Sequence, residues 1–191
     1  MQIPREMFRM LPLVPAVILS AALGLSLPLG AQVSNKPDLG AIRARLAQQV
    51  RHQLVMLPYY SVFDDLEFQI TGVDTVELSG QVTRPTLKSD AESVTRRLEG
   101  VGKVVNEIEV LPLSPSDDRI RLEVYRAIFS MAGLDRYVMR AVPPIHIIVK
   151  NGNVILKGVV ATQEDKDLAG IVAKGVPGTF SVTNDLRVEK P

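Results

Sequence analysis

The chain has 191 residues, of which 46% are apolar, 23% charged and 5% aromatic, with no Cys and no Trp. That balance excludes collagen-like and disordered chains, and the missing thiol excludes disulfides, thiolate catalysis and Cys-ligated metal sites. With 22 basic and 21 acidic residues the formal charge is +1, so no global field draws the chain to nucleic acid.

From the N-terminus, Arg5 and Arg9 precede an apolar run, Met10–Leu29, closed by the small residues Gly30 and Ala31. This is the layout of a secretory signal over residues 1–31, cut after Ala31. The run is also long enough to span a bilayer, so a retained anchor is the alternative, although Pro12, Pro15 and Pro28 interrupt it. Either reading carries the remainder out of the cytoplasm, most simply into a bacterial periplasm, with residues 32–40 as a linker.

Ile42, Leu46, Val50, Leu54 and Leu57 recur at helical spacing and predict a helix ending before Pro58. Leu66, Phe68 and Ile70 alternate as in a half-buried strand. Gly72–Asp74 can turn the chain, and Val76, Leu78 and Val82 alternate again. Leu87, Ala91, Val94 and Leu98 return to helical spacing, closed by Gly100, and Val104, Ile108 and Val110 predict a last strand.

The order then repeats. Asp117 or Asp118 can cap a helix carrying Ile120, Val124, Ile128 and Met131. Asn151-Gly152 signals a tight hairpin between Ile145–Lys150 and Val154–Ala161. Asp165–Lys174 reads as a helix stopped by Gly175, Pro177 and Gly178, and Phe180, Val182, Leu186 and Val188 alternate in a final strand.

Displaced by 78 positions, the chain lies on itself without a gap from Ala41–Leu111 to Arg119–Glu189. Matches include Arg43/Arg121, Tyr59/Tyr137, Gly80/Gly158, Gly100/Gly178 and Asn106/Asn184. Preserved apolar phase at a fixed offset marks a duplicated unit. The predicted fold is α+β: two tandem αββαβ domains, 41–111 and 118–189, joined by residues 112–117. Each is a three-stranded mixed sheet covered on one face by two helices. Units this small without disulfides are expected to touch.

Val76-Glu77-Leu78-Ser79-Gly80-Gln81-Val82 and Val154-Ile155-Leu156-Lys157-Gly158-Val159-Val160 resemble the V-x-L-x-G-x-V strand of the BON domain family. Gly100–Asn106 and Gly178–Asn184 resemble its G-V-x-x-V-x-N segment, with Thr179-Phe180 as a departure in the second copy. The resemblance implies a cell-envelope location and a non-enzymatic role, usually described as phospholipid binding or envelope support under osmotic stress. It adds no cofactor.

Gly80 and Gly158, in mid-strand, are read as places where a helix crosses closely over the sheet, the sharper reading being a ligand near the backbone. Asn106 and Asn184, in phase with inward residues, are read as buried amides that fasten a loop or helix end. His52 lies opposite the apolar stripe, and His146 aligns with Phe68. Neither has the converging donors a metal needs. Asp64 and Asp65 are placed in a loop, and Glu164, Asp165 and Asp167 at a helix start. None has a nucleophile or base partner, so no catalytic residue is assigned.

Ala41–Ser61 contains no acidic residue, while Arg43, Arg45, Arg51 and His52 stand on its helix and Tyr59 and Tyr60 follow it. In the second copy Arg119, Arg121 and Arg126 decorate the helix, followed by Arg136, Tyr137, Met139 and Arg140. Basic amphipathic helices beside aromatic residues suit an anionic phospholipid surface. The plain alternative is a solvated basic face next to core-packing rings. The partner is accordingly expected to be an anionic phospholipid surface, the alternative being an envelope protein bound through strand edges or the inter-repeat groove.

Overall fold

The computed structural model describes residues 38–139 and 142–189, so the predicted leader, Met1–Ala31, lies outside the described residues. Helix α1, Leu39–Val55, starts at Asp38, whose carboxylate accepts the Gly40 N–H at 2.9 Å. It buries Leu46, Val50 and Leu54, while Ile42, one turn earlier, stays exposed because the helix meets the core only from Leu46 onward.

Strands β1, Asp65–Thr71, and β2, Thr75–Val82, form an antiparallel hairpin that pairs Ile70 with Val76 and Phe68 with Leu78. Asp65 therefore opens a strand, whereas the alternating pattern leaves it in the preceding loop. Helix α2, Pro85–Arg96, crosses back, and β3, Lys103–Asn106, and β4, Glu109–Val110, pair parallel to β2.

The second copy follows the same path. It comprises α3, Pro115–Phe129; a 3₁₀ turn, Asp135–Met139; β5, Ile145–Lys150; β6, Asn153–Val160; α4, Gln163–Lys174; β7, Ser181–Asn184; and β8, Arg187–Val188. Strand order is β1-β2-β3 in one sheet and β5-β6-β7 in the other, with β4 and β8 extending the parallel strand. No helix among the described residues is long and apolar enough to cross a membrane.

Two further local expectations change. The last strand of each copy is interrupted rather than continuous. The register from Val76↔Val104 to Val82↔Val110 is maintained, but Glu107 and Ile108 are not paired with Ser79 and Gly80, although the Glu107 N–H still donates to the Leu78 carbonyl at 2.8 Å. There the Asn106 side-chain carbonyl accepts the Ile108 N–H at 3.2 Å, and Asn184 does the same for Leu186 at 3.3 Å. The cap of α3 is Ser114, whose hydroxyl accepts the Asp117 N–H at 3.2 Å. Asp117 instead lies buried in the first turn and accepts the N–H groups of Asn151 and Gly152, both at 2.9 Å. It thereby holds the hairpin turn, in which both residues have positive φ.

Each copy has its own apolar nucleus. In the first, Leu46, Val50 and Leu54 of α1 and Leu87 and Ala91 of α2 cover Val76, Leu78 and Val82 of β2, with Ile108. In the second, Ile120, Val124 and Ile128 of α3 meet Ile145, Ile147 and Val149 of β5, Val154 and Leu156 of β6 and Ala169 of α4. Burying each of these larger aliphatics contributes about 1.5–3 kcal/mol.

Both copies fall within one compact unit. Val62, from the first copy, belongs to the second nucleus, and its carbonyl accepts the Ile147 N–H at 2.8 Å. Phe63 stands edge-on to Tyr125 at 6.0 Å. Segment Ser61–Asp64 thus covers what would be the open edge of β5.

Candidate functional site

The Asn106 and Asn184 amides tie the second helix of each copy to its sheet. Asn106 Nδ2 donates to the Lys88 carbonyl at 2.9 Å and Asn184 Nδ2 to the Lys166 carbonyl at 2.7 Å. Gly80 and Gly158 have φ of +113° and +119°. A Cβ would fall 2.2 Å from the Asp65 carbonyl oxygen and 1.9 Å from that of Pro144, respectively. The obstruction is therefore the backbone of the neighbouring strand and its approach, not a crossing helix. Gly100 and Gly178, with φ of +89° and +88°, end the turns after α2 and α4.

The matched arginines do comparable work. Arg43 donates to the Gly72 carbonyl and Arg121 to the Val149 carbonyl at 2.6 Å, so each fastens the first helix to the end of its hairpin. Arg43 remains exposed, whereas Arg121 is 4% exposed and pairs with Asp118. The matched tyrosines diverge. Tyr59 has a positive φ, is 69% exposed and lies under the Arg84 guanidinium at 4.8 Å. Tyr137 is buried, donates to Asp165 at 2.7 Å and accepts the Ala161 N–H at 2.8 Å.

Asp165 also accepts from Arg136. Burial works against ionisation of its carboxyl, but the Tyr137 and Thr162 bonds and the Arg136 charge hold it below the usual carboxylate range. Arg121 and Tyr137 are thus withdrawn from any flat surface, and Arg136 is tied to Asp165. Met139 and Arg126 are exposed, and Arg140 lies outside the described residues.

Tyr60 is also withdrawn, into the junction between copies. Its ring lies 5.7 Å from that of His146, and burial, then Asp65 and Asp64, push its hydroxyl above the ordinary range. His146 Nδ1 sits 2.6 Å from the Asp64 carbonyl oxygen. Burial holds its imidazole below 6.5, against the opposing pull of Asp64 and Asp65. Lys157 crosses to Asp65 at 2.7 Å and Glu67 at 3.2 Å. Among the described residues, no group of three or more His, Asp and Glu side chains could hold a metal.

Exposed basic, aromatic and apolar residues gather at the C-terminal end of α1. Arg51 and Val55 stand one turn apart, Met56 is 67% exposed, and Tyr59 and Arg84 follow in contact. Arg84 and Met56 escaped the pattern reading. Arg84 belongs to the β2–α2 turn and meets Tyr59 only in space, and Met56 lies off the apolar stripe, between Leu54 and Leu57. Arg45 is exposed about three turns before this end of the helix.

Comparison with curated proteins found no match. Two solved structures of CdsD, described as the structural protein of the Type III secretion system of Chlamydia trachomatis, are 13% identical to this chain and cover 76% of it. They are themselves covered to 98% and 94%, with TM-scores of 0.27 and 0.28, a similarity that carries no statement about function. The BON domain model matches residues 43–112 and again 116–190. The chain belongs to the BON domain family and carries two copies of that domain in tandem.

Proposed function

We propose that this chain is an exported, non-enzymatic envelope protein that attaches peripherally to anionic phospholipid through the end of α1. The observation that supports this reading most is the exposed pair Met56 and Tyr59, set beside Arg51 and Arg84, with no carboxylate between Ala41 and Ser61. The ring and thioether suit shallow burial at the headgroup level, and the guanidinium groups suit lipid phosphate. Each basic residue near an anionic surface contributes about 1 kcal/mol, so several act together and salt weakens the attachment.

The test is sedimentation of the purified chain with phosphatidylglycerol vesicles and, separately, phosphatidylcholine vesicles. Binding to the anionic vesicles at low salt is expected to fall as salt rises. It should drop at least fivefold in a Met56→Ser, Tyr59→Asn variant, since Asn tolerates the left-handed backbone. Equal binding to both lipids, or none to either, removes the proposal.

A further inference from the structure

The two copies share a fold but differ on their helical faces. Between α3 and α4 lies an open groove of about 750 Å³ whose floor and walls are Ala127, Met131, Ile171, Val172, Val176 and Pro177. Ile171 is 67% exposed on its bank. At the 78-residue offset the first copy has Gln49, Gln53, Ser93, Val94, Leu98 and Glu99 in these places. Four of the six apolar positions are therefore amide, hydroxyl or carboxylate in the sister domain. Since the fold is satisfied by polar residues there, packing does not require apolar ones here, and exposed apolar surface of this kind marks an interaction site.

The rim carries charge of one predominant sign. Arg119 and Arg126 stand two turns apart on α3, and only Arg119 has a carboxylate nearby, Glu123 at 3.9 Å. Arg126 has no ion-pair partner among the described residues. The matching positions in the first copy are Ala41 and Gln48.

We propose that this groove of the second copy receives the apolar side of an amphipathic helix from another protein, with carboxylates on that helix meeting Arg119 and Arg126. A trough between two helices accepts a third by ridge-into-groove packing, whereas a bilayer is flat and touches only the banks. From Arg119 to Met131 the trough runs roughly 18 Å, the length of about twelve helical residues. A single acyl chain would leave most of so open a trough in water.

The experiment uses the purified chain, isotope-labelled for NMR, and a panel of 14-residue amphipathic helical peptides. Each carries Leu at i, i+3, i+4 and i+7 and flanking Glu at varied register, with Glu→Lys counterparts as controls. Monomeric lysophosphatidylglycerol is titrated separately. The variants Ile171→Ser and Met131→Gln install the residues that the first copy already carries, so the fold accommodates them. Expected are shifts confined to α3, α4 and the turn 175–178 with at least one acidic peptide, tenfold weaker binding of its Lys counterpart, and at least fivefold weaker binding by either variant. No binding by any acidic peptide overturns the proposal, as does binding indifferent to peptide charge or to the variants. Perturbation of the groove by the lysolipid alone, or self-association lost in Ile171→Ser, overturns it in favour of a lipid or a second copy.

Discussion

The backbone N–H of Thr83 donates to the Asp64 carboxylate at 2.7 Å, a bond that closes the first copy where β2 leaves its sheet. The equivalent N–H in the second copy, that of Ala161, is taken by the Tyr137 hydroxyl. One structural need is met by a carboxylate from a loop in one domain and a phenol from a 3₁₀ turn in the other. Asp64 is fully buried and also accepts from the Thr83 hydroxyl at 2.8 Å, from the Ser61 N–H at 3.0 Å and from the Ser61 hydroxyl at 2.6 Å.

Asp64→Ala should therefore cost about 3 kcal/mol, because it strands several donors at once. Tyr137→Phe, which leaves the Ala161 N–H unpaired and removes one partner of Asp165, should cost about 1–2 kcal/mol. Urea denaturation followed by circular dichroism measures both. Equal losses would contradict the difference in bond number.

Gly80→Ala and Gly158→Ala force a Cβ into the adjoining backbone as well as into a positive φ. Each should cost more than about 3 kcal/mol or prevent folding. Gly100→Ala is the control. Its φ is also positive, +89°, but nothing lies within 4 Å of the added carbon, so only about 1–2 kcal/mol should be lost.

Stability should fall on acidification below about pH 7. The His146 imidazole is held below its unfolded value of 6.5, so the unfolded chain binds the extra proton. The contribution is present above that value and is lost as pH falls towards the folded one. Tyr60, the Asp64 carbonyl, Asp65 and Lys157 surround this part of the junction. His146→Phe, which copies the first domain's Phe68, should flatten melting temperature against pH in that window. An unchanged slope would assign the effect to other groups. Asp165, held below its ordinary value, adds a further loss only below about pH 4.

Arg121→Met should cost about 2–4 kcal/mol, since it removes a buried donor to Val149 and a partner of Asp118. Arg43→Met, at the exposed counterpart, should cost less than about 1 kcal/mol. Differential scanning calorimetry compares the two. Neither change should alter the ionic-strength dependence of vesicle binding by more than one basic residue's worth.

Periodicity exposed the duplication, both hairpins and the helix order, because these rest on residues close in sequence and on apolar phase. It misplaced the α3 cap because Pro115 was counted with the linker, although proline is at home in a first helical turn. The interruption at Ile108 was hidden because its residues keep the alternating pattern through the break. The fates of Tyr59 and Tyr137 were illegible. They depend on Arg84 and Asp165, partners 25 and 28 positions away, and identical residue types at matching positions went to solvent in one copy and to the interior in the other. The groove between α3 and α4 becomes visible only when the two copies are compared face against face.

Val62 sits in the nucleus of the domain to which it does not covalently belong. A protein expressed from Pro112 onward would keep every residue that the family match assigns to the second module and still lack a plug for its interior. The downstream half is thus packed against a side chain synthesised before it. Cutting at the obvious seam should therefore give a less stable piece than the same half extended back through Val62.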